Sequence, residues 1–342
     1  MQRDFAINVN NTALSFIRGA WWGEPVMTTR RRGGSWELTW RMDFKRGFRH
    51  PDLVRGATVT ARIGSLIEWR GQLTEPDMDS MQFTAQGQCR QAETALALGF
   101  DGMTSNPSDA VFYAEARGLI DWGGLEVLSP VTSTGTTDHP MTIAELLDAY
   151  TLEHGTNWQV VPDWGLGTYA DPTVPRWMVT PNTGVLGVAD DDYWTNLVGT
   201  YLTTTGDYEL VTSSDATPHV GRRERAVDLT ALGRMTSARA QAALDAMLAK
   251  GLARTGWTNG IEIGRGQLFT MGGTPAAPSV VRGGHMVHLA GLADERGIAQ
   301  FTNIIVDEAV WNVAEDTVQL NPVGLAPRDL PSIIESMGGK LV

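Results

Sequence analysis

Leu53-Val54-Arg55-Gly56-Ala57-Thr58-Val59-Thr60-Ala61-Arg62-Ile63 and, about 227 residues later, Val280-Val281-Arg282-Gly283-Gly284-His285-Met286-Val287-His288-Leu289-Ala290 decide how this chain is built. Each stretch reads as an apolar pair, an Arg-Gly turn and an alternating strand, because glycine permits the turn and period-two alternation marks a half-buried strand. The surroundings repeat as well. Trp36-Glu37-Leu38-Thr39-Trp40 precedes the first turn and Gly260-Ile261-Glu262-Ile263 the second. Gln72-Leu73 and Phe83-Thr84-Ala85 follow the first; Asn303-Ile304-Ile305-Val306 and Thr317-Val318-Gln319-Leu320 follow the second. Two small β-domains on one plan at opposite ends of a chain point to a structural part and not to an enzyme. The extra glycine of the second copy, Gly284, leaves the register between the copies open by one residue. A one-residue shift would exchange the buried and exposed strand faces.

At 342 residues the chain has room for two or three domains. Charged residues make up 19% and hydrophobic ones 42%, the balance of an ordered globular chain. The net charge of -12 argues against a protein that binds nucleic acid by neutralising phosphates. Cys89 is the single cysteine, so no internal disulfide can form, and a small buried hydrophobe is its expected role. Met1-Gln2-Arg3-Asp4 runs into a mixed strand and not an apolar core, and no stretch approaches the roughly 18 apolar residues of a membrane helix. The expectation is a soluble chain made in the cytoplasm without a secretion signal.

Along the chain, residues 1–95 read as a first β-barrel domain, opened by the alternation Phe5-Ala6-Ile7-Asn8-Val9. Arg30-Arg31-Arg32, beside Gly33-Gly34, reads as a solvated loop. Residues 96–225 form a loop-rich and α/β middle domain. Asp101-Gly102, Asn106-Pro107 and Ser133-Thr134-Gly135 supply turn chemistry there. Thr142-Ile143-Ala144-Glu145 is a capping box, and Ile143, Leu146, Leu147 and Tyr150 follow at helical spacing up to Gly155. A second helix is predicted from Asp190-Asp191-Asp192 through Trp194, Leu197, Val198 and Tyr201, with Tyr208-Glu209-Leu210-Val211 a strand. Residues 226–326 hold the strand Val227-Asp228-Leu229, a helix with Ala240, Ala243, Leu244, Met247, Leu248 and Leu252 on one face, and the second β-barrel domain. Residues 327–342 read as a C-terminal arm. The fold class is thus β-rich α+β, with two similar small β-barrels flanking a middle α/β region.

No catalytic signature is present: no HExxH, Walker loop, GxSxG elbow or paired-cysteine site. Gly165-Leu166-Gly167 and Gly264-Arg265-Gly266 lack the strand-before, helix-after context of a phosphate cradle and read as turns. His285 and His288, three apart on a strand, would point to opposite faces, which makes shared metal ligation awkward. Asp190-Asp191-Asp192 is explained by a helix N-terminus before a cation is needed. No catalytic, cofactor or metal residue is therefore assigned. Of twelve tryptophans, Trp21, Trp22, Trp36, Trp40 and Trp69 fall in the first β-copy, where core filling is the leading role and sugar stacking the alternative.

Taken in order, these features resemble the minor tail proteins of siphophages, in particular tail-hub proteins related to the baseplate hub of contractile phages, in the style of phages infecting actinobacteria. The motifs that carry the resemblance are the Arg-Gly-x-x-Val turn-strand, Tyr193-Trp194-Thr195-Asn196-Leu197 followed by Gly206-Asp207-Tyr208-Glu209-Leu210, and the Ala-rich stretch 238–252. Ile261-Glu262-Ile263, Val281-Arg282-Gly283 and Asp316-Thr317-Val318-Gln319-Leu320 complete the series. The resemblance implies a homotrimer whose six quasi-equivalent β-domains form a ring at the tail tip of a virion. It also implies distal tail, tape measure and tip or central-fibre proteins as partners, the host envelope contacted indirectly, and DNA in transit through a lumen that the acidic balance would keep from sticking. Neither an appended lysozyme nor a peptidase module is visible. The competing readings are a peripheral receptor- or carbohydrate-binding tail protein using exposed Trp residues, and a wall hydrolase with carboxylates near Glu153 or Asp190.

Overall fold

The structure, a computed structural model, describes residues 5–131, 141–180, 194–216, 222–230, 233–252, 261–293 and 299–323. The chain forms two compact units, one of residues 1–182, 261–290 and 301–321, the other of residues 183–260, 291–300 and 322–342. It is β-rich with few helices. The N-terminal strands are β1 (Phe5–Val9), β2 (Thr12–Ala13), β3 (Ala20–Arg30), β4 (Gly33–Phe44), β5 (Thr58–Ile63), β6 (Leu66–Leu73) and β7 (Gln82–Gly87). Then come β8 (Leu98–Gly99), β9 (Gly102–Met103), β10 (Asn157–Val161), β11 (Gly165–Tyr169) and β12 (Trp177–Val179). The second unit contributes β13 (Asn196–Leu202), β14 (Tyr208–Ser214) and β15 (Glu224–Asp228). The chain continues through β16 (Ile261–Ile263), β17 (Leu268–Thr270), β18 (Met286–Ala293), β19 (Ala299–Asn312) and β20 (Thr317–Pro322). The helices are α1 (Pro107–Ala116), α2 (Ile143–His154) and α3 (Ser237–Leu252).

One large curled sheet runs β17-β12-β18-β19-β3-β4-β7-β6-β5-β1-β2, with β16, β20, β10 and β11 attached beside that path. The two repeated β segments are therefore hydrogen-bonded to each other. β3 carries the join: Glu308 to Asn312 of β19 lie antiparallel to Arg30 to Val26. β3 also pairs with β4 along its other edge, with a bulge between Gly23 and Val26 where Glu24 takes φ 53°. Such bulges sharpen the right-handed twist and let a wide sheet curl.

The strand interiors follow the predicted alternation. In the first segment Ile7, Val9, Leu38, Trp40, Val59, Ala61, Trp69 and Phe83 are buried, and the Trp40 and Phe83 rings stack at 5.7 Å. In the second, Ile261, Ile263, Val287, Leu289, Val306, Val318 and Leu320 are buried.

The hydrogen bonds settle the register left open by Gly284. Leu53 N donates to His50 O, and Val281 N donates to Pro278 O. Ala57 N donates to Val54 O as His285 N does to Arg282 O, and Gly56 N donates to Leu73 O as Gly284 N does to Val306 O. Leu73 N returns to Ala57 O, and Val306 N returns to His285 O. Gly56 and Gly284 sit at φ 81° and 87°, in the left-handed region that glycine alone enters freely. The copies thus match Gly56 with Gly284, one residue away from the pairing of Arg55 with Arg282 that the Arg-Gly pattern suggested. Arg55 corresponds to Gly283, and Arg282 to Val54.

α1 and α2 pack with β10 and β11 around Trp122, Trp158, Leu146, Leu147 and Val111. α2 starts on the capping box of Thr142 and Glu145 and ends at Gly155 in the left-handed conformation, as the sequence indicates. α1 was not foreseen: Asn106 caps it and Pro107 occupies its first turn. In the second unit β13 pairs antiparallel with β14 and parallel with β15, and α3 contributes Ala240, Leu244, Met247 and Leu248 to one core. Here the structure corrects the predicted helix over Trp194 to Tyr201. Asn196–Leu202 is a strand, with Leu197, Gly199 and Tyr201 facing the core. Asp190, Asp191 and Asp192 lie outside the described residues, as do Tyr193 and the arm 327–342.

Candidate functional site

The join between the repeated β segments is where the sequence motifs meet. Arg30, Arg31 and Arg32, expected in a solvated loop, end β3 and turn into β4, and each finds a carboxylate. Arg30 Nε reaches Glu308 Oε2 at 2.7 Å. Arg31 holds Asp171 with two parallel bonds, Nε to Oδ1 at 2.9 Å and Nη2 to Oδ2 at 2.5 Å, a planar fork that fixes geometry as well as charge. Arg32 lies 3.7 Å from Asp148. Asn157 Nδ2 donates to the same Asp171 at 2.8 Å, and the Tyr169 hydroxyl donates to Arg31 O. Burial pushes the Tyr169 phenol up to about 12, so it remains a donor. Arg30 and Arg90 both stack on the Trp36 ring, 3.9 and 4.4 Å from its centroid, which assigns Trp36 to this cluster.

From the other side comes the second Arg-Gly turn. Gly283 N donates to Thr29 Oγ1 at 3.1 Å, and a Cβ at Gly283 would fall 2.3 Å from the Arg30 carbonyl carbon. Gly284 approaches Tyr169 so closely that a Cβ would lie 2.6 Å from its hydroxyl. Arg282 turns back to Glu68 at 2.9 Å, joining residues 214 positions apart. Burial pulls the Arg282 pKa down, and Glu68 opposes it. His285 Nδ1 accepts from Trp177 Nε1 and from Arg282 N, both at 3.2 Å. An acceptor nitrogen there requires the neutral ring. Burial first, then the nearby Arg176 and Arg282, hold its pKa down to about 4. A cleft of about 490 Å³ opens beside the join, lined by Glu68, Tyr169, Arg176, Arg282 and His285 among others.

Nothing in this arrangement resembles a nucleophile with its base. The charged groups are arranged in pairs that lock backbone segments distant in sequence. His285 and His288 take separate partners, His288 Nδ1 meeting Asn303 Oδ1 at 2.7 Å. Among the described residues no cluster of three or more His, Cys, Asp or Glu could hold a metal ion. Cys89 is buried, donates to Ser35 O at 2.9 Å and has its thiol pushed up to about 12 by burial. Gly165-Leu166-Gly167 belongs to β11 and not to a turn. Gly264-Arg265-Gly266 is the connection from β16 to β17 and contributes Arg265 to Asp316 at 2.5 Å. Of the tryptophans in the first copy, Trp40 and Trp69 are core, whereas Trp21 is 59% exposed; elsewhere Trp164 is 82% exposed. Glu153 lies in the last turn of α2, and Asp190 lies outside the described residues.

No protein-family model matches the chain, and no curated protein matches it. Solved structures do. The 43 kDa tail protein of prophage MuSo2 from Shewanella oneidensis is 10% identical, with a TM-score of 0.62 over 94% of this chain and 96% of that one. The tail protein from Neisseria meningitidis MC58 is 14% identical, with a TM-score of 0.52 over 93% of this chain and 95% of that one. At these identities the likeness is one of fold: this chain shares, over nearly its whole length, the architecture of phage-type tail proteins.

Proposed function

We propose that this chain is a structural tail-hub protein of a phage virion. Three copies form a ring of six quasi-equivalent β segments that joins a sixfold tail to threefold tip components and lets DNA pass. The observation that carries this reading is the repeat itself: one turn, with the same hydrogen bonds, occurs twice on a fold shared with tail proteins. Closed rings use head-to-tail contacts, and a chain with two alike but unequal segments supplies two such contact surfaces. In this reading the barrel segments are residues 1–95 and 226–326, the middle domain is 96–225, and the arm is 327–342. The partners are distal tail, tape measure and tip or central-fibre proteins, the location is the tail tip, and the chain is not an enzyme.

The mass in solution tests it. A trimer of a 37.1 kDa chain weighs about 111 kDa, three times the chain mass, and light scattering with electron microscopy should show that mass as a ring with a central channel. A monomer at every concentration overturns the reading. A peripheral receptor- or carbohydrate-binding protein is the second reading, favoured by the exposed Trp21 and Trp164. Saturable binding of host-wall glycans, lost in Trp164→Ala, would support it over the hub. A wall hydrolase should clear a peptidoglycan zymogram, and the hub should not.

A further inference from the structure

The repeated turn is built twice and covered once. Around Gly284 the turn is buried: β3 lies against Gly283, and Tyr169 lies against Gly284. Its twin has the same hydrogen bonds and the same left-handed glycine, yet Val54, Arg55 and Gly56 are exposed, and a Cβ at Gly56 would meet nothing within 4 Å. Val54 is 48% exposed, while Leu53 and Ala57 on either side are buried and pin the turn to the core. The face is thus held in place and left open, with an apolar side chain beside a cation. Arg55 forms no ion pair among the described residues.

We propose that the Val54-Arg55-Gly56 face is covered by a second copy of this chain, as the Arg282-Gly283-Gly284 turn is covered within the chain. The cover of the second turn comes from β3 of the first repeated segment together with Tyr169 of β11, and a closed ring of repeats needs such a join between chains as well as within them. Charge agrees: the internal join is built of Arg-carboxylate pairs, and a chain of net charge -12 offers carboxylates to Arg55. This inference rests on the hub reading.

The test is thiol labelling of Val54→Cys in the full chain with a maleimide. Native Cys89 is silent because it is buried, and Val127→Cys, at a site 89% exposed, sets the rate of an open surface. In the assembled trimer Val54→Cys should react at least about tenfold more slowly than Val127→Cys, since access governs a thiol of ordinary pKa. Val54→Asp should shift the mass from trimer towards monomer with an unchanged circular dichroism spectrum. A trimer in which both cysteines react equally fast, with Val54→Asp still trimeric, overturns this inference and leaves the hub standing. A parent chain that is monomeric throughout overturns the hub reading and this inference with it.

Discussion

The two β segments have the same hydrogen-bonded frame and different fillings. At the register of the β4–β7 pair, the first places Trp40 opposite Phe83; at the corresponding β16–β20 pair, the second places Ile263 opposite Val318. Ala57 of the first turn has the titratable His285 as its counterpart, and Val54 has the ion-paired Arg282. What recurs is what the backbone requires: a left-handed glycine, four turn bonds and buried positions of period two. What differs is what each neighbourhood asks of the side chains. The repeat is therefore a repeat of backbone chemistry, and the second turn carries charges because another part of the chain lies on it.

The largest test of that difference is in the cores. Trp40→Ala should cost about 4 kcal/mol and Ile263→Val about 1 kcal/mol, read as shifts in the urea midpoint, because the first removes a whole buried ring and the second a methylene. Equal losses would mean that the cores are filled alike. Next comes the ion pair particular to the second turn. Glu68→Ala leaves the Arg282 guanidinium without its carboxylate and should cost about 3 kcal/mol, with Arg282→Met in the same chain restoring part of it.

The third test is pH. His285 has a pKa held near 4, below the usual 6.5, so the folded state favours the neutral ring. Its contribution is complete above pH 6.5 and is lost as the pH falls towards 4. Between pH 7 and pH 5 this amounts to about 2 kcal/mol. His285→Ala, which gives the second turn the residue of the first, should flatten that part of the stability profile; an unchanged slope would remove His285 as its source. The smallest test compares the glycines. Both substitutions to alanine strain a left-handed backbone, but Gly284→Ala also meets Tyr169, so it should exceed Gly56→Ala by about 1 kcal/mol.

Much of the frame was legible in the sequence because it is local. The alternation of Phe5–Val9 and Trp36–Trp40, the capping box at Thr142 and the glycine at 155 each act over a few residues. Two elements were obscured by competing signals. Asn106-Pro107 reads equally as a turn or as a cap with proline in the first helical turn, and α1 is the second. The spacing of Trp194, Leu197, Val198 and Tyr201 fits a helix, but Gly199 hides the alternation of Leu197 and Tyr201 by putting no side chain at a buried position. The join itself was not legible. Arg31 meets Asp171 across 140 residues and Arg30 meets Glu308 across 278, and no local pattern announces such pairs. β3 was hidden by Gly23 and Pro25, which interrupt the alternation at the bulge.

The ladder between β3 and β19 has a mechanical consequence. A pull along the strands would load its bonds together in shear, whereas a pull across them would open the bonds one after another. A protein built on that ladder would be stiff along one axis and easy to part along the other, so the direction of load would decide whether the two repeated β segments stay joined.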